Sequence, residues 1–399
     1  MKKKYFIMII GVAILIKFFL FYFSIIHAPR SKFVNDSYLY LNTGETVISM
    51  GTFATRETDG TLTPNFFIAP GYPLFLGVLH RLLNIPLSGV ILIQVLLTII
   101  TAFITYKAAI EIEHRLGLLS LVIILFSPTI NIFSLLILTE SLFLFFITLF
   151  MFYFIKYLKS GKIKFVILAA FMLTISVYVR PGPYLLGIAI AVFIIYANVT
   201  GNIRTGILHA FIFLTVAYSL LGLWQIRNYL IFGKATFSSI ISMDSINRGL
   251  FHSYSRNHDP FTRGMSPIIY YINVTWRCFL SLMTRPGSFK YLNSPSLNVI
   301  AKVIGYLWMI FWITGFILGL TKIKRNIYYQ FLLLLILCFA SVTIIVEMWN
   351  VGGRYRVPMM PFISIISAYG WSSLSLFKNI RFRKFFMPNN TIFLPHQKP

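Results

Sequence analysis

The chain alternates long apolar runs with short polar connections. A helix needs roughly 20 mostly apolar residues to cross a bilayer. By that rule the pattern predicts about ten spans, near Tyr5–Ile26, Leu87–Ala109, Leu116–Phe133, Leu135–Leu158, Ile163–Val179, Tyr184–Val199, Thr205–Ile226, Val299–Leu320, Tyr328–Val346 and Val357–Phe377. Phe67–Leu83 is also apolar, but it is short and carries His80 and Arg81. It reads either as an interfacial helix or as an eleventh, partly buried span. The expected fold is therefore an all-α polytopic membrane bundle in a single domain over residues 1–399. The first run is longer than the apolar core of a secretory signal, and His27-Ala28-Pro29-Arg30 offers no small-residue cleavage pattern after it. It reads as a retained span.

Lysine and arginine in the short connections orient the spans. Lys2–Lys4 place the N-terminus inside. Alternation then puts Lys107 and Arg115, Lys156 to Lys164, Arg204, Lys322 to Arg325, and Lys378 to Lys384 on the same side. Both ends are expected in the cytoplasm of a cell bounded by a plasma (inner) membrane, with 379–399 as a cytoplasmic tail. The acids segregate the other way. Only Glu111 and Glu113 fall inside; Asp36, Glu45, Glu57, Asp59, Glu140, Asp244, Asp259 and Glu347 fall at or near the outer face. Two outer segments are long, 29–66 and 228–298.

Composition agrees with this pattern. Hydrophobic residues make up 58% and charged residues 11% of the chain, against about 25% charged in soluble domains. The net charge of +25 raises a nucleic-acid partner. The basic residues, however, lie between apolar runs, where they orient spans and meet anionic lipid rather than forming one soluble patch. Membrane lipid, not nucleic acid, is the expected contact. With only Cys278 and Cys338 present, no disulfide framework is expected.

Few residues could carry chemistry. Asp36, in Asn35-Asp36-Ser37-Tyr38-Leu39-Tyr40, reads either as a helix cap or as a carboxylate presented to water at the outer face. Glu140 lies inside an apolar run near its outer end. A carboxylate in the bilayer centre costs on the order of 2.5–3.5 kcal/mol, so such residues normally face a wet cavity or the bundle interior. Arg180, Arg227, Arg354 and Arg356 all arrive at the outer face. A guanidinium there either snorkels to lipid phosphates or forks onto an anionic ligand. Tyr38, Tyr72, Trp224, Tyr229, Trp349 and Tyr355 fall at the same level and fit an aromatic belt. Lys17 is mid-span and should face the bundle or snorkel. His252 and His258 beside Asp259 lack a zinc-ligand spacing, so no metal is expected. No nucleotide or hydrolase motif occurs, and no cofactor is expected.

The order of short motifs resembles a known family. It runs from Asn35-Asp36-Ser37-Tyr38-Leu39-Tyr40 through Ala69-Pro70-Gly71-Tyr72-Pro73, the Glu140 segment, Arg180 after a span and Arg227-Asn228-Tyr229, to Gly352-Gly353-Arg354-Tyr355-Arg356. This resembles the GT-C polytopic glycosyltransferases, in particular the family 39-like group with the protein O-mannosyltransferases and lipid A aminoarabinose transferases. The resemblance implies a GT-C-like bundle of about 10–11 helices whose outer loops form the active site. It implies an inverting transfer from a polyprenyl-phosphate-linked sugar to a hydroxyl or amine on a glycan, lipid or protein. Asp36 would be the base, and Glu140 would orient the acceptor or an arginine. Arg227 and Arg354 would stabilise the leaving phosphate, with Arg180, Arg356, Tyr38 and Tyr355 as further substrate contacts and Tyr72 near the donor phosphate. The chain departs from the family in two places. Ser37 stands where many members have a second acid, and Ala69 stands where the aminoarabinose transferases have a lysine. Two other classes fit parts of the pattern: a polysaccharide polymerase or ligase with a diphosphate-linked donor, and a lipid-sugar transporter or flippase. A transporter places polar groups near the midplane, whereas here they gather at the outer face.

Overall fold

The structure, a computed structural model, describes residues 3–27, 32–238, 266–286, 295–323, 326–347 and 352–374. His252, His258, Asp259, Trp349 and the 379–399 tail lie outside these residues. The chain begins with the apolar helix α1 (Lys3–His27). A folded cap follows, built from α2 (Asn35–Met50), an antiparallel hairpin of β1 (Ala54–Arg56) and β2 (Leu62–Pro64), and α3 (Gly71–Leu76). A π turn over Gly77–Leu82 continues α3. At roughly 1.5 Å per residue these two pieces together reach less than about 20 Å, well short of a bilayer core. The segment around Phe67–Leu83 is therefore too short to be an eleventh span.

The bundle proper comprises α4 (Leu87–Ile112), α5 (Gly117–Leu125), α6 (Pro128–Phe133), α7 (Glu140–Ser160), α8 (Ile163–Val179), α9 (Leu186–Ala197) and α10 (Ile203–Phe232). After the second long connection come α11 (Pro267–Thr284), α12 (Pro295–Lys322), α13 (Ile327–Glu347), the single turn α14 (Gly353–Arg356) and α15 (Met360–Ser372). Among the described residues, α1, α4, α7, α10, α12 and α13 are long and apolar enough to cross a membrane; α5, α8 and α9 are shorter apolar helices.

Three boundaries differ from the hydrophobic pattern. The expected span Leu116–Phe133 is broken. Pro128 has no N–H to continue α5, and Ser127 restarts the chain by accepting a hydrogen bond from the Ile130 N–H at 3.4 Å. The expected span from Leu135 starts only at Glu140, after an irregular stretch. The helix near Thr205–Ile226 runs on to Phe232, so Arg227 is within α10 rather than at its end. The long segment 228–298 also contains α11, one face of which buries Tyr270, Val274, Cys278 and Leu282 while Ile268, Ile272 and Trp276 are exposed.

Lipid is as apolar as the helix surfaces, so association here rests on close packing and interhelical hydrogen bonds. At α12 against α15, a Cβ on Gly370 would lie 1.9 Å from the Gly315 carbonyl oxygen, so only glycine permits this approach. Lys17 faces the bundle, donating to Thr98 Oγ1 at 3.1 Å and to Asn131 Oδ1, which ties α1 to α4 and α6.

Charged groups collect at both ends of the bundle. At one end Lys159 pairs with Glu111 at 2.7 Å, Arg115 pairs with Glu113 at 2.7 Å, and the Tyr329 hydroxyl donates to Glu113 at 3.0 Å. These belong to the group that the charge pattern assigns to one side. The opposite ends of α4, α7 and α13 adjoin the other group, and there the candidate site forms.

Candidate active site

Glu140 is the first residue of α7, where unpaired helix N–H groups favour a negative charge. The irregular stretch before it is fastened to the cap. Ile137 N–H donates to the Lys32 carbonyl at 3.0 Å, and Ser37 Oγ donates to the Ile137 carbonyl at 2.8 Å. Ser37 also accepts from the Val34 N–H at 3.0 Å and so caps α2. Neither Asn35 nor Asp36 is the capping residue, which leaves the Asp36 carboxylate available for other partners.

That carboxylate meets an arginine. Glu140 is 1% exposed, and its Oε1 accepts from Arg180 Nη1 at 3.2 Å and from Arg354 Nε. Arg354 then presents Nη1 and Nη2 to Asp36 Oδ2 at 3.3 and 3.2 Å. Asp36 itself is 49% exposed. Burial would weaken the Arg354 cation, but Glu140 and Asp36 outweigh it and hold the guanidinium firmly charged. The Arg180 guanidinium lies over the Tyr355 ring at 5.4 Å. Asp36, Tyr40, Ala69, Arg180, Arg354 and Tyr355 line a cavity of about 180 Å³, with Val342 and Val346 as an apolar wall. Burial, with help from the Glu140 and Asp36 charges, pushes the Tyr40 hydroxyl up to about 12, so it stays a neutral donor. The cavity thus offers two fixed cations, one accessible carboxylate and an apolar flank. Such a set can bind an anionic head on an apolar tail and accept a proton beside it.

Four of the residues expected at the site lie elsewhere. Arg227 donates to the Asn65 carbonyl at 2.9 Å and the Phe53 carbonyl at 3.0 Å, and it packs over the Trp224 ring at 4.9 Å. It holds the hairpin onto α10. Tyr72 is fully buried; its hydroxyl donates to Gln94 Oε1 at 2.6 Å, and its ring meets Tyr40 edge to face at 5.1 Å. It supports the cavity floor through Tyr40. Tyr38 lies on the opposite face of α2, against a second cavity. Arg356, two positions after Arg354, is turned by about 200° and points away from it. It is buried, and burial lowers its guanidinium to about 10. Its Nη1 donates to the Leu282 and Met283 carbonyls at 2.6 and 3.1 Å, and its guanidinium lies over the Trp312 ring at 5.1 Å. It caps the end of α11 and ties that helix to the turn carrying Arg354. Replacing Arg356 with Gln is expected to cost about 2–4 kcal/mol, since a buried and a part-buried carbonyl lose a charged donor. A drop in the thermal midpoint of the detergent-solubilised protein, with Arg356→Lys falling between the two, is the result to look for.

The site also uses residues that the candidate set did not include. Tyr40 is one turn after Asp36, a spacing that places both on one helix face. Gln94 is the polar break in an apolar helix, and its Nε2 donates to the Leu136 carbonyl at 2.7 Å beneath the site. Ser37 carries no signal of its own, because its role depends on a contact 100 positions away.

Residues 68–224 match the family described as dolichyl-phosphate-mannose-protein mannosyltransferase. The matched segment includes Ala69, Tyr72, Gln94, Glu140 and Arg180. Among solved structures, the oligosaccharyltransferase AglB from Archaeoglobus fulgidus, in complex with an inhibitory peptide and a dolichol-phosphate, superposes with a TM-score of 0.55 at 13% identity, over 93% of this chain and 50% of that one. The same archaeal enzyme in the apo form gives 0.58. ArnT from Cupriavidus metallidurans in the apo state gives 0.53 at 12% identity, over 93% of this chain and 60% of that one. The chain therefore spans about half the length of the archaeal enzyme. No curated protein sequence matches it. The chain has the fold of the GT-C membrane glycosyltransferases, and its residues 68–224 match the dolichyl-phosphate-mannose-protein mannosyltransferase family.

Proposed function

We propose that the protein is an integral-membrane glycosyltransferase that moves a sugar from a polyprenyl-phosphate donor to a hydroxyl or amine acceptor on a glycan, lipid or protein, with inversion. The site would face the outer side of a plasma membrane, with both termini in the cytoplasm. One observation carries the reading: a single buried carboxylate, Glu140, holds Arg180 and Arg354 at a cavity that also contains the accessible Asp36. The dolichol-phosphate bound to the archaeal structure is the kind of ligand this charge set suits.

In this reading the donor phosphate takes the terminal nitrogens of Arg354 in place of Asp36. Its arrival frees the Asp36 carboxylate. The acceptor oxygen or nitrogen then attacks the anomeric carbon and forms the new glycosidic bond. The bond from that carbon to the phosphate oxygen breaks, and its electron pair leaves with the polyprenyl phosphate. The acceptor proton passes to Asp36. A phosphate leaving group needs little protonation, so the cations serve mainly to stabilise its charge. Glu140 keeps Arg354 and Arg180 in place for this. Ala69 leaves the cavity without the lysine of the aminoarabinose transferases, so the phosphate rests on the two arginines.

Retention of lipids by the purified protein, read by native mass spectrometry, tests the reading. Polyprenyl monophosphate is expected to be retained and unphosphorylated polyprenol lost. Arg354→Lys keeps the charge but loses the planar fork, and should weaken retention about tenfold or more. Equal retention of the two lipids, or a preference for the diphosphate, would overturn it.

A further inference from the structure

A second cavity, larger than the first at about 670 Å³, lies on the other side of α2. Tyr38, Asn42 and Glu45 reach it from α2, Arg56 from β1, and His80 and Arg81 from the π turn. Asp36 and Tyr40 face the first cavity, so α2 is the wall between the two. Nothing in the proposed transfer uses this second space.

Its chemistry is defined. Among the described residues Arg56 and Arg81 have no carboxylate partner, and Glu45 has no cationic one. His80 Nδ1 is 2.9 Å from the Ile85 carbonyl, which fixes that nitrogen as the donor. Two permanent cations and a histidine against one carboxylate make a net positive pocket. Apolar surface lies close in the chain to two of these side chains: Leu74, Leu82 and Leu83, on or next to the short elements that carry His80 and Arg81, are each about half exposed. Those elements are too short to enter the bilayer deeply, and they place the cations beside an apolar surface, where amphipathic groups settle.

The geometry points to this cavity as a binding site for a membrane amphiphile with an anionic, phosphate-bearing headgroup. The headgroup would sit between Arg56 and Arg81, with its acyl chains against Leu74, Leu82 and Leu83. A lipid is favoured over a free phosphate because exposed leucines, Leu82 and Leu83, directly follow Arg81 in the chain. The site is independent of the transfer reading, since the two cavities share no lining residue.

The test places the full chain in nanodiscs of equal parts phosphatidylglycerol and phosphatidylcholine, followed by release into detergent and analysis of the lipids retained. Phosphatidylglycerol is expected to be retained over phosphatidylcholine. The double variant Arg56→Gln/Arg81→Gln should lower that preference about tenfold, as loss of two charge-assisted contacts implies. Glu45→Gln, which removes the one carboxylate among the described residues that line the pocket, should raise it. Inorganic phosphate should not displace the lipid. Equal retention of the two lipids, no change in the double variant, a fall with Glu45→Gln, or displacement by inorganic phosphate would each overturn the proposal. Because the readout is lipid retention, failure here leaves the transfer reading untouched, and failure of transfer leaves this site standing.

Discussion

Replacing Asp36 with Asn is expected to lower sugar transfer by about 10²–10⁴-fold, the range for removal of a general base. The variant should still fold. Asp36 is about half exposed, and the cap of α2 depends on Ser37 rather than on Asp36. An exposed ion pair contributes at most about 1 kcal/mol, so the thermal midpoint should move little. Donor retention should hold or improve, because Arg354 no longer has a competing carboxylate. The loss should therefore appear in turnover and not in the apparent affinity for the lipid. Michaelis analysis in membranes, with the midpoint measured in parallel, separates these effects. A variant that transfers normally would remove Asp36 as base.

The second large effect concerns Glu140. Changing it to Gln is expected to destabilise the protein by about 3–5 kcal/mol, the usual result of removing one partner from a buried ion pair. Two guanidinium groups would then share a site with no buried counter-charge. The loss is larger than for Asp36 because Glu140 is 1% exposed and accepts from both arginines. Glu140→Asp keeps the charge but shortens the reach, so it should recover part of the stability while leaving transfer impaired. Thermal unfolding of the three proteins in detergent, beside their transfer rates, checks both halves. If Glu140→Gln matched the parent midpoint, Glu140 would not be the anchor described here.

Most of the fold could be read from the hydrophobic runs, because a bilayer demands long uninterrupted apolar helices. What the runs could not show is where a helix is interrupted inside apolar sequence. Ser127-Pro128 and the irregular stretch before Glu140 are as apolar as their surroundings, and only the proline hints at the break. For the same reason Glu140 was expected within a span, whereas it begins a helix. The charge pattern assigned Asp36, Glu140, Arg180 and Arg354 to one end of the bundle, and the structure brings these four together. It cannot assign azimuth. Arg227 and Arg356 share that end, yet one faces backbone carbonyls of the hairpin region and the other those of α11. For Arg354 and Arg356 the separation was legible from helical geometry alone, since positions two apart face opposite ways. The same rule separates Tyr38 from Asp36 and Tyr40. Ser37, where many family members carry an acid, fastens α2 to the approach of Glu140, and no local pattern reveals a bond of that range.

The most direct measurement is the release of free polyprenyl phosphate from a polyprenyl-phosphate sugar by the purified protein, with a hydroxyl- or amine-bearing acceptor supplied in detergent or vesicles. Release coupled to glycosylated acceptor of inverted anomeric configuration, abolished in Asp36→Asn despite normal donor retention, is the predicted result. Release with retained configuration, release that persists in Asp36→Asn, or turnover only of a diphosphate-linked donor would contradict it.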